Sequence, residues 1–266
     1  MSFRVFALKK KIYMKIRTFI SNNFYEHIYT LYHRKKRIHN FSKYKTMLSN
    51  KYGLEIGGPS RIFKKKIPIY YYAKKIDGVN FASSTLWEKN LVDSGDFNYF
   101  MRRFGIQYIS DATNLNKIND LTYDFLLSSH CLEHIANPLK ALKEWSRVIK
   151  EDAYMVLVLP NKDGNFDRNR SFTKFEHILE DFENDVDESD LTHLDEIIEL
   201  HDFKMDKNLG TLDEFVLRGK DNLKIRGLHH HVFDEVLIKE ILKWCNFKVL
   251  DFDKDKTNFY TLARKN

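Results

Sequence analysis

Tyr123-Asp124-Phe125-Leu126-Leu127-Ser128-Ser129-His130, followed by Asn137-Pro138 and then by Tyr154-Met155-Val156-Leu157-Val158-Leu159-Pro160, is the stretch that settles the fold. The first and last runs are short, continuous and apolar, as strands buried on both faces are. Between them Asn137 is a helix cap and Pro138 takes the first helical position, with Leu139, Leu142, Trp145, Val148 and Ile149 on one face. Strand, helix and strand at this spacing make a parallel crossover unit. Working outward, Tyr52–Gly57, Ile67–Tyr72 and Ile106–Ser110 read as three further strands. Toward the C-terminus a helix over Asp234–Trp244 precedes two apolar runs, Phe247–Phe252 and Phe259–Ala263. Only Asp253–Asn258 joins those runs, so they form an antiparallel hairpin. The fold class is therefore α/β, a seven-stranded, mostly parallel, doubly wound sheet that ends in a hairpin.

Two segments break this alternation. Residues 1–47 read as a basic helical arm, with Ile16, Phe19, Ile20, Phe24 and Ile28 at helical spacing and no Gly or Pro. Residues 48–266 form the main domain, and within it residues 161–228 read as an acidic helical insertion that shapes the substrate region. From Phe175 to Phe203 the insertion holds 12 Asp+Glu and no Lys or Arg, with His177, His193 and His201 interspersed. The formal charge of +7 divides unequally: residues 1–50 carry 12 Lys+Arg against one acid, and the other 216 carry 32 against 36. Basicity thus belongs to the arm, and the body is not a nucleic-acid surface. The arm's own role stays open among binding phosphates or an anionic membrane, contacting a partner subunit, closing over an acidic site, and a solvated face.

Composition narrows the class further. With 43% hydrophobic and 30% charged residues, the 266-residue chain is a globular protein rather than a disordered one. No apolar run approaches the roughly 20 residues of a spanning helix. Lys9, Lys10, Lys11 and Lys15 interrupt any secretory apolar segment. Cys131 and Cys245 form no close pair, and a reducing, cytoplasmic setting is expected.

Chemistry is signalled first by Gly53-Leu54-Glu55-Ile56-Gly57-Gly58-Pro59-Ser60, an apolar strand that ends in an acid and two glycines. Glycines at such a turn let the backbone approach a ligand. The dinucleotide pattern G-x-G-x-x-G is absent, since Gly57 opens Gly-Gly-Pro-Ser-Arg-Ile, which counts against a nicotinamide cofactor. Taken with Tyr123–His134, Asn137-Pro138, Arg147-Val148-Ile149-Lys150 and Tyr154–Pro160, this loop resembles those of the class I, Rossmann-like S-adenosylmethionine-dependent methyltransferases. The similarity covers about residues 52–162 and 232–264. It is nearest to the bacterial type-11-like subgroup with a Ser-Ser-His turn and Leu-Glu-His, and the insertion looks like that of relatives associated with surface-glycan biosynthesis.

The resemblance implies S-adenosyl-L-methionine as cofactor and assigns residues to it. Glu55 would orient the loop and the cofactor's amino group, and Gly57, Gly58, Pro59 and Ser60 would form the turn beneath the methionine part. Pro59 and Ser60 depart from the glycines usual there, which implies a stiffer loop. Asn80, next to Phe81, would receive the ribose hydroxyls, with Asp77 as the alternative; Asp111 and Ala112 would contact adenine, Asp111 being otherwise a helix cap. Ser129 and His130 follow at the end of the fourth strand, where the family places the methionine part and the acceptor.

Methyl transfer from a sulfonium is an in-line displacement, so the enzyme must align an acceptor and relieve it of a proton. His130 is the expected general base, because imidazole titrates near neutrality. His134 lies four residues on and either orients His130 or caps the following helix. Arg168 and Arg170, beside Asp167, and His229 and His231 are the expected substrate contacts. The insertion's histidines and carboxylates match no metal-ligand spacing, and no metal is expected. The reading is a methyltransferase acting on an oxygen of a small acceptor, a sugar, sugar nucleotide or phosphoramidate-type precursor of bacterial capsule or lipopolysaccharide. The alternatives are a nucleic-acid methyltransferase, or a methyltransferase-like binding protein without turnover. Against the first, Ser128-Ser129-His130 stands where amino-methylating enzymes carry Asn/Asp-Pro-Pro-Tyr/Phe.

Overall fold

The computed structural model describes residues 37–206 and 210–266. Eight strands form one sheet: β1 (Tyr52–Ile56), β2 (Lys75–Asn80), β3 (Asp96–Phe100), β4 (Arg103–Ile109), β5 (Tyr123–Ser129), β6 (Ile149–Pro160), β7 (Phe247–Lys254) and β8 (Asn258–Lys265). Their order is β3-β4-β2-β1-β5-β6-β8-β7. The central five, β4, β2, β1, β5 and β6, run parallel, and β8 returns antiparallel to β6 with β7 beyond it. This is the expected doubly wound sheet with its hairpin. The additional strand is β3, antiparallel to β4 at the far edge, in a segment whose mixed Asp-Phe-Asn-Tyr-Phe pattern carries little strand signal.

Alternate residues of the central strands feed two cores, as the two-residue period of a strand requires. Leu126, Leu54, Ile56, Met155 and Leu157 meet α3 (Pro138–Val148) and α8 (Glu235–Trp244) on one face. Phe125, Leu127, Val156 and Val158 meet α1 (Phe41–Leu48) and the segment Phe63–Tyr70 on the other. Asn137 caps α3 as expected, its side-chain oxygen accepting from the Lys140 amide at 3.0 Å. Phe41, Tyr44 and Leu48 are buried, so the end of the stretch read as an arm belongs to the domain core. The arm stripe from Ile16 to Ile28 lies outside the described residues.

The expected strand Ile67–Tyr72 is instead a 3-10 turn at Ile69–Tyr71 that follows the short helix α2 (Ile62–Lys65). Pro68 contributes no amide to a ladder, and Ile67, Ile69 and Tyr70 are fully buried as turn residues. An apolar run reports burial rather than strand. The true β2 is masked in sequence by Asp77, whose carboxylate accepts from the Ile106 amide and the Tyr123 hydroxyl.

The insertion comprises α4 (Phe175–Glu183), α5 (Leu194–Leu200), α6 (Leu212–Lys220) and α7 (Asn222–Ile225). It closes on a small core of its own, built on Leu194, Ile197, Phe215 and Leu228. Trp145 of α3 is fully buried, and its indole N–H donates to the Ala112 carbonyl at 3.0 Å. Trp145→Ala is expected to cost about 3–5 kcal/mol of unfolding free energy, read from urea titrations with an unchanged m-value.

Candidate functional site

The C-terminal ends of β1, β2, β4 and β5 surround a cavity of about 310 Å³. Gly57, Gly58, Pro59 and Ser60 form one wall, Asn80 and Phe81 a second, and Ala112, Ser129, His130 and His134 complete it. Gly57 has φ 77°, and a Cβ there would press on Cys131 at 3.0 Å. A Cβ on Gly58 would run into the Glu55 carboxyl. The loop therefore lies as close to the strand end as backbone allows.

Glu55 is fully buried beneath this loop, not in the cavity wall. Its carboxyl accepts from the Ser60 amide at 2.9 Å and from the Tyr70 hydroxyl. Burial pushes its pKa up to about 7, against the lowering effect of those two hydrogen bonds. Asn80, buried, donates through Nδ2 to the Gly58 carbonyl at 3.1 Å. That contact leaves Oδ1 as an acceptor for a hydroxyl. A carboxylate at this position could not brace the loop in the same way.

Asp111 differs from the expectation that it meets adenine. Its Oδ1 accepts from the amide and hydroxyl of Thr113, and its Oδ2 pairs with Arg226 at 2.7 Å. Despite the opposing effect of burial, these partners hold its pKa below the usual carboxylate range. Arg226, at the end of α7, also pairs with Glu188 at 2.7 Å and lies 5.3 Å over the Phe81 ring. It thereby ties the insertion to the strand ends and itself lines the first cavity.

A second, larger cavity of about 780 Å³ lies between the sheet edge and the insertion. The two cavities share Trp87, His130 and His134. His130 has φ 52°, a left-handed backbone that ends β5 abruptly and turns the ring outward into both spaces. Its Nε2 is 2.7 Å from the Asn258 side-chain amide oxygen Oδ1, and its Nδ1 is 3.4 Å from Glu133. Burial alone would lower its pKa; the Glu133 carboxylate and Asn258 outweigh burial and raise it. His134 donates its Nδ1 proton to the Leu228 carbonyl at 3.0 Å. Burial and the neighbouring His229 depress it to about 4, so its ring is neutral.

Of the expected substrate residues, only His229 lines this cavity. Its Nδ1 is 2.5 Å from Asp167, which His229 and Arg170 hold at a pKa of about 2 despite burial. Arg170 is not a substrate grip. Its guanidinium is buried and committed to Asp167 and the carbonyls of His229 and His230, so it braces the cavity wall. His231 is also buried and donates to the Ala136 carbonyl at 3.0 Å. Arg168 is exposed, 3.6 Å from Asp202, and lines neither cavity. Sequence reading does not reach Trp87 and Arg226 as cavity-lining groups. They come from connections far apart in the chain, and no spacing signals them.

The family model described as a methyltransferase domain matches residues 26–251. The chain belongs to this methyltransferase family. It is an enzyme whose methyl donor is S-adenosylmethionine, and the first cavity fits that cofactor: a glycine turn against the strand end, a hydroxyl acceptor on Asn80, and apolar walls from Ile56, Val79, Phe81 and Ala112. No curated protein matches the chain. Similar solved structures include a SAM-dependent methyltransferase from Aquifex aeolicus, 14% identical, covering 85% of this chain and 88% of that one, with a TM-score of 0.47. A putative methyltransferase from Listeria monocytogenes is 14% identical, covering 85% and 97%, at 0.48. The 1,6-didemethyltoxoflavin-N1-methyltransferase of Burkholderia thailandensis, solved with its substrate and S-adenosylhomocysteine, is 10% identical, covering 97% and 90%, at 0.47.

Glu55 provides a pH signature of the loop. Its pKa is raised on folding from the ordinary 4.5 to about 7, so the folded protein binds this proton more tightly than the unfolded chain. Stability is then lost as the pH rises from about 4.5 through about 7, with no further change from this group above that. Denaturant titrations at roughly pH 5 and pH 8 are expected to show this loss in the wild type, and a smaller one in Glu55→Gln.

Proposed function

We propose that the enzyme transfers the methyl group of S-adenosylmethionine to an oxygen of a small polar acceptor seated in the second cavity. The observation that carries this reading is the junction of the two cavities at Trp87, His130 and His134. An acceptor in the larger space meets the donor site only there, beside an imidazole. The polar wall of the larger cavity, with Asn165, Asp167, Asp206, His201 and His229, suits a molecule rich in hydroxyls. A sugar or sugar nucleotide fits this description, and the resemblance of the insertion to those of surface-glycan enzymes favours a capsule or lipopolysaccharide precursor. A phosphoramidate-type oxygen is chemically admissible at the same place.

This chain's residues divide the work. The Gly57–Ser60 turn and Asn80 hold the cofactor, which supplies an electrophilic methyl group. His130 takes the acceptor's proton, Asn258 and Glu133 fixing its ring. Trp87 stands at the junction, and Arg226 closes the wall of the donor cavity beside Phe81. The acidic insertion beside the acceptor cavity disfavours a nucleic-acid strand, whose phosphates it would repel. Among the described residues no helix is long and apolar enough to cross a membrane. We place the enzyme in the cytoplasm, with the basic arm serving contacts to a membrane surface or a second subunit.

Calorimetric titration with S-adenosylhomocysteine tests the donor site. Micromolar binding is expected, weakened about tenfold in Asn80→Ala by loss of one hydrogen bond. No binding to the folded protein would overturn the reading. In turnover assays with sugar-nucleotide acceptors, His130→Ala is expected to lower kcat by about 10²-fold or more while the affinity for S-adenosylhomocysteine stays nearly unchanged.

A further inference from the structure

Glu133, His134 and His229 come from two segments almost a hundred residues apart, yet each places a ligand atom within 4.8 Å of those of the other two. All three face the second cavity. The Glu133 side chain is wholly buried, and neither carboxylate oxygen has a hydrogen-bond partner. His130 approaches one of them at 3.4 Å, outside hydrogen-bonding geometry on this side chain. A carboxylate buried in this way is stabilised by positive charge beside it, from the His130 ring or from a bound cation.

The two imidazoles are arranged to supply the rest of a cation site. His134 spends its Nδ1 proton on the Leu228 carbonyl, and His229 spends its own on the Asp167 carboxylate. In each ring Nε2 is thereby the nitrogen left for a metal ion. A histidine that ligates a metal through one nitrogen ordinarily donates the other N–H to a backbone carbonyl or a carboxylate, and both versions of that arrangement occur here. The rings stand edge to face with centroids 4.6 Å apart. Arg170, buried against Asp167 and the His229 carbonyl, holds the second arrangement in place.

We propose that Glu133, His134 and His229 bind a divalent first-row transition-metal ion on the floor of the acceptor cavity. Two imidazole nitrogens and one carboxylate oxygen suit zinc, cobalt, manganese or iron(II); magnesium and calcium prefer all-oxygen shells. Three protein ligands leave positions open toward the junction at His130. There the ion takes the acceptor's hydroxyl oxygen and lowers its pKa. The O–H proton passes to the His130 ring. The oxygen lone pair forms the new C–O bond while the methyl C–S bond breaks, and its electron pair stays on sulfur to leave S-adenosylhomocysteine. This step rests on the methyl-transfer reading; the metal site itself does not.

A second histidine group, His177, His193 and His231, also gathers ligand atoms within 4.8 Å, so the test separates the two. The full chain carrying His193→Ala is stripped with chelator and titrated with Co²⁺ by calorimetry and visible absorption, with Mg²⁺ as control. One equivalent of Co²⁺ per chain is expected, with ligand-field bands. Glu133→Gln and His229→Gln, each added to His193→Ala, should weaken binding by at least about tenfold, and Asp167→Asn by about 10–100-fold as a positioning residue. Thermal unfolding identifies any variant that fails to fold, in which case the other ligand variant decides. No Co²⁺ binding by the His193→Ala chain, or binding that both ligand variants retain, overturns the site. S-adenosylhomocysteine is titrated into the same samples: its binding without metal removes the site alone, and metal without its binding removes the methyl-transfer reading alone.

Discussion

Burial of both faces of β5 is the constraint on which the rest of this structure depends. Phe125 and Leu127 point one way and Leu126 the other, each without solvent exposure, so the strand needs a helical layer on either side. α3 and α8 provide one layer, and α1 with the segment Phe63–Tyr70 provides the other. Once both are in place, the strand turns polar at its carboxyl end, at Ser128 and Ser129. The left-handed turn at His130 stops the strand there and delivers an imidazole to the edge where β1 and β2 also end. A ligand site at this edge follows from strand order and direction.

Electrostatics around that edge are organised by pairing rather than by net charge. Glu55, Asp111 and Asp167 all lie at least partly within the protein, and each is committed to partners: the glycine loop, Arg226 with Thr113, and His229 with Arg170. Such pairs are costly to desolvate and are worth retaining for geometry more than for stability. Arg226 shows this most clearly. It joins Asp111 of the sheet side to Glu188 of the insertion and stacks on Phe81, so the wall of the cofactor cavity is completed by a residue from the acceptor side. Glu133 stands apart as the carboxylate whose oxygens lack hydrogen bonds although it is wholly buried.

The insertion is more than a cover. Its small core holds Leu228 in place, and the Leu228 carbonyl sets the tautomer of His134. Asn222 braces the same connection through the Leu228 amide, and the adjoining His230 amide bonds back to the Glu133 carbonyl. Acidic composition therefore says little about what this segment does. Two of its acids, Asp167 and Glu188, are buried supports of His229 and Arg226, and the Leu228 carbonyl and the direction in which His229 leaves the segment complete its contribution.

Much of the fold was legible because its determinants are local. The apolar runs of β1, β5 and β6, the Asn137-Pro138 cap and the C-terminal hairpin each declare themselves within a dozen residues, and the Gly57-Gly58 turn and His130 follow from their position at strand ends. Where burial and secondary structure part company, sequence misled: Ile67–Tyr72 is a buried turn, and β2 carries an Asp in its middle. For the site, sequence by itself placed Gly57, Gly58, Asn80 and His130 at strand ends around the first cavity, since these positions are fixed relative to the strands. Only the tertiary structure decided what Asp111 pairs with, that Arg170 and His231 are internal supports, and that Glu133, His134 and His229 converge. The physical reason is that hydrogen bonds and ion pairs act over a few ångströms in space, whereas their partners here are separated by about a hundred residues of chain.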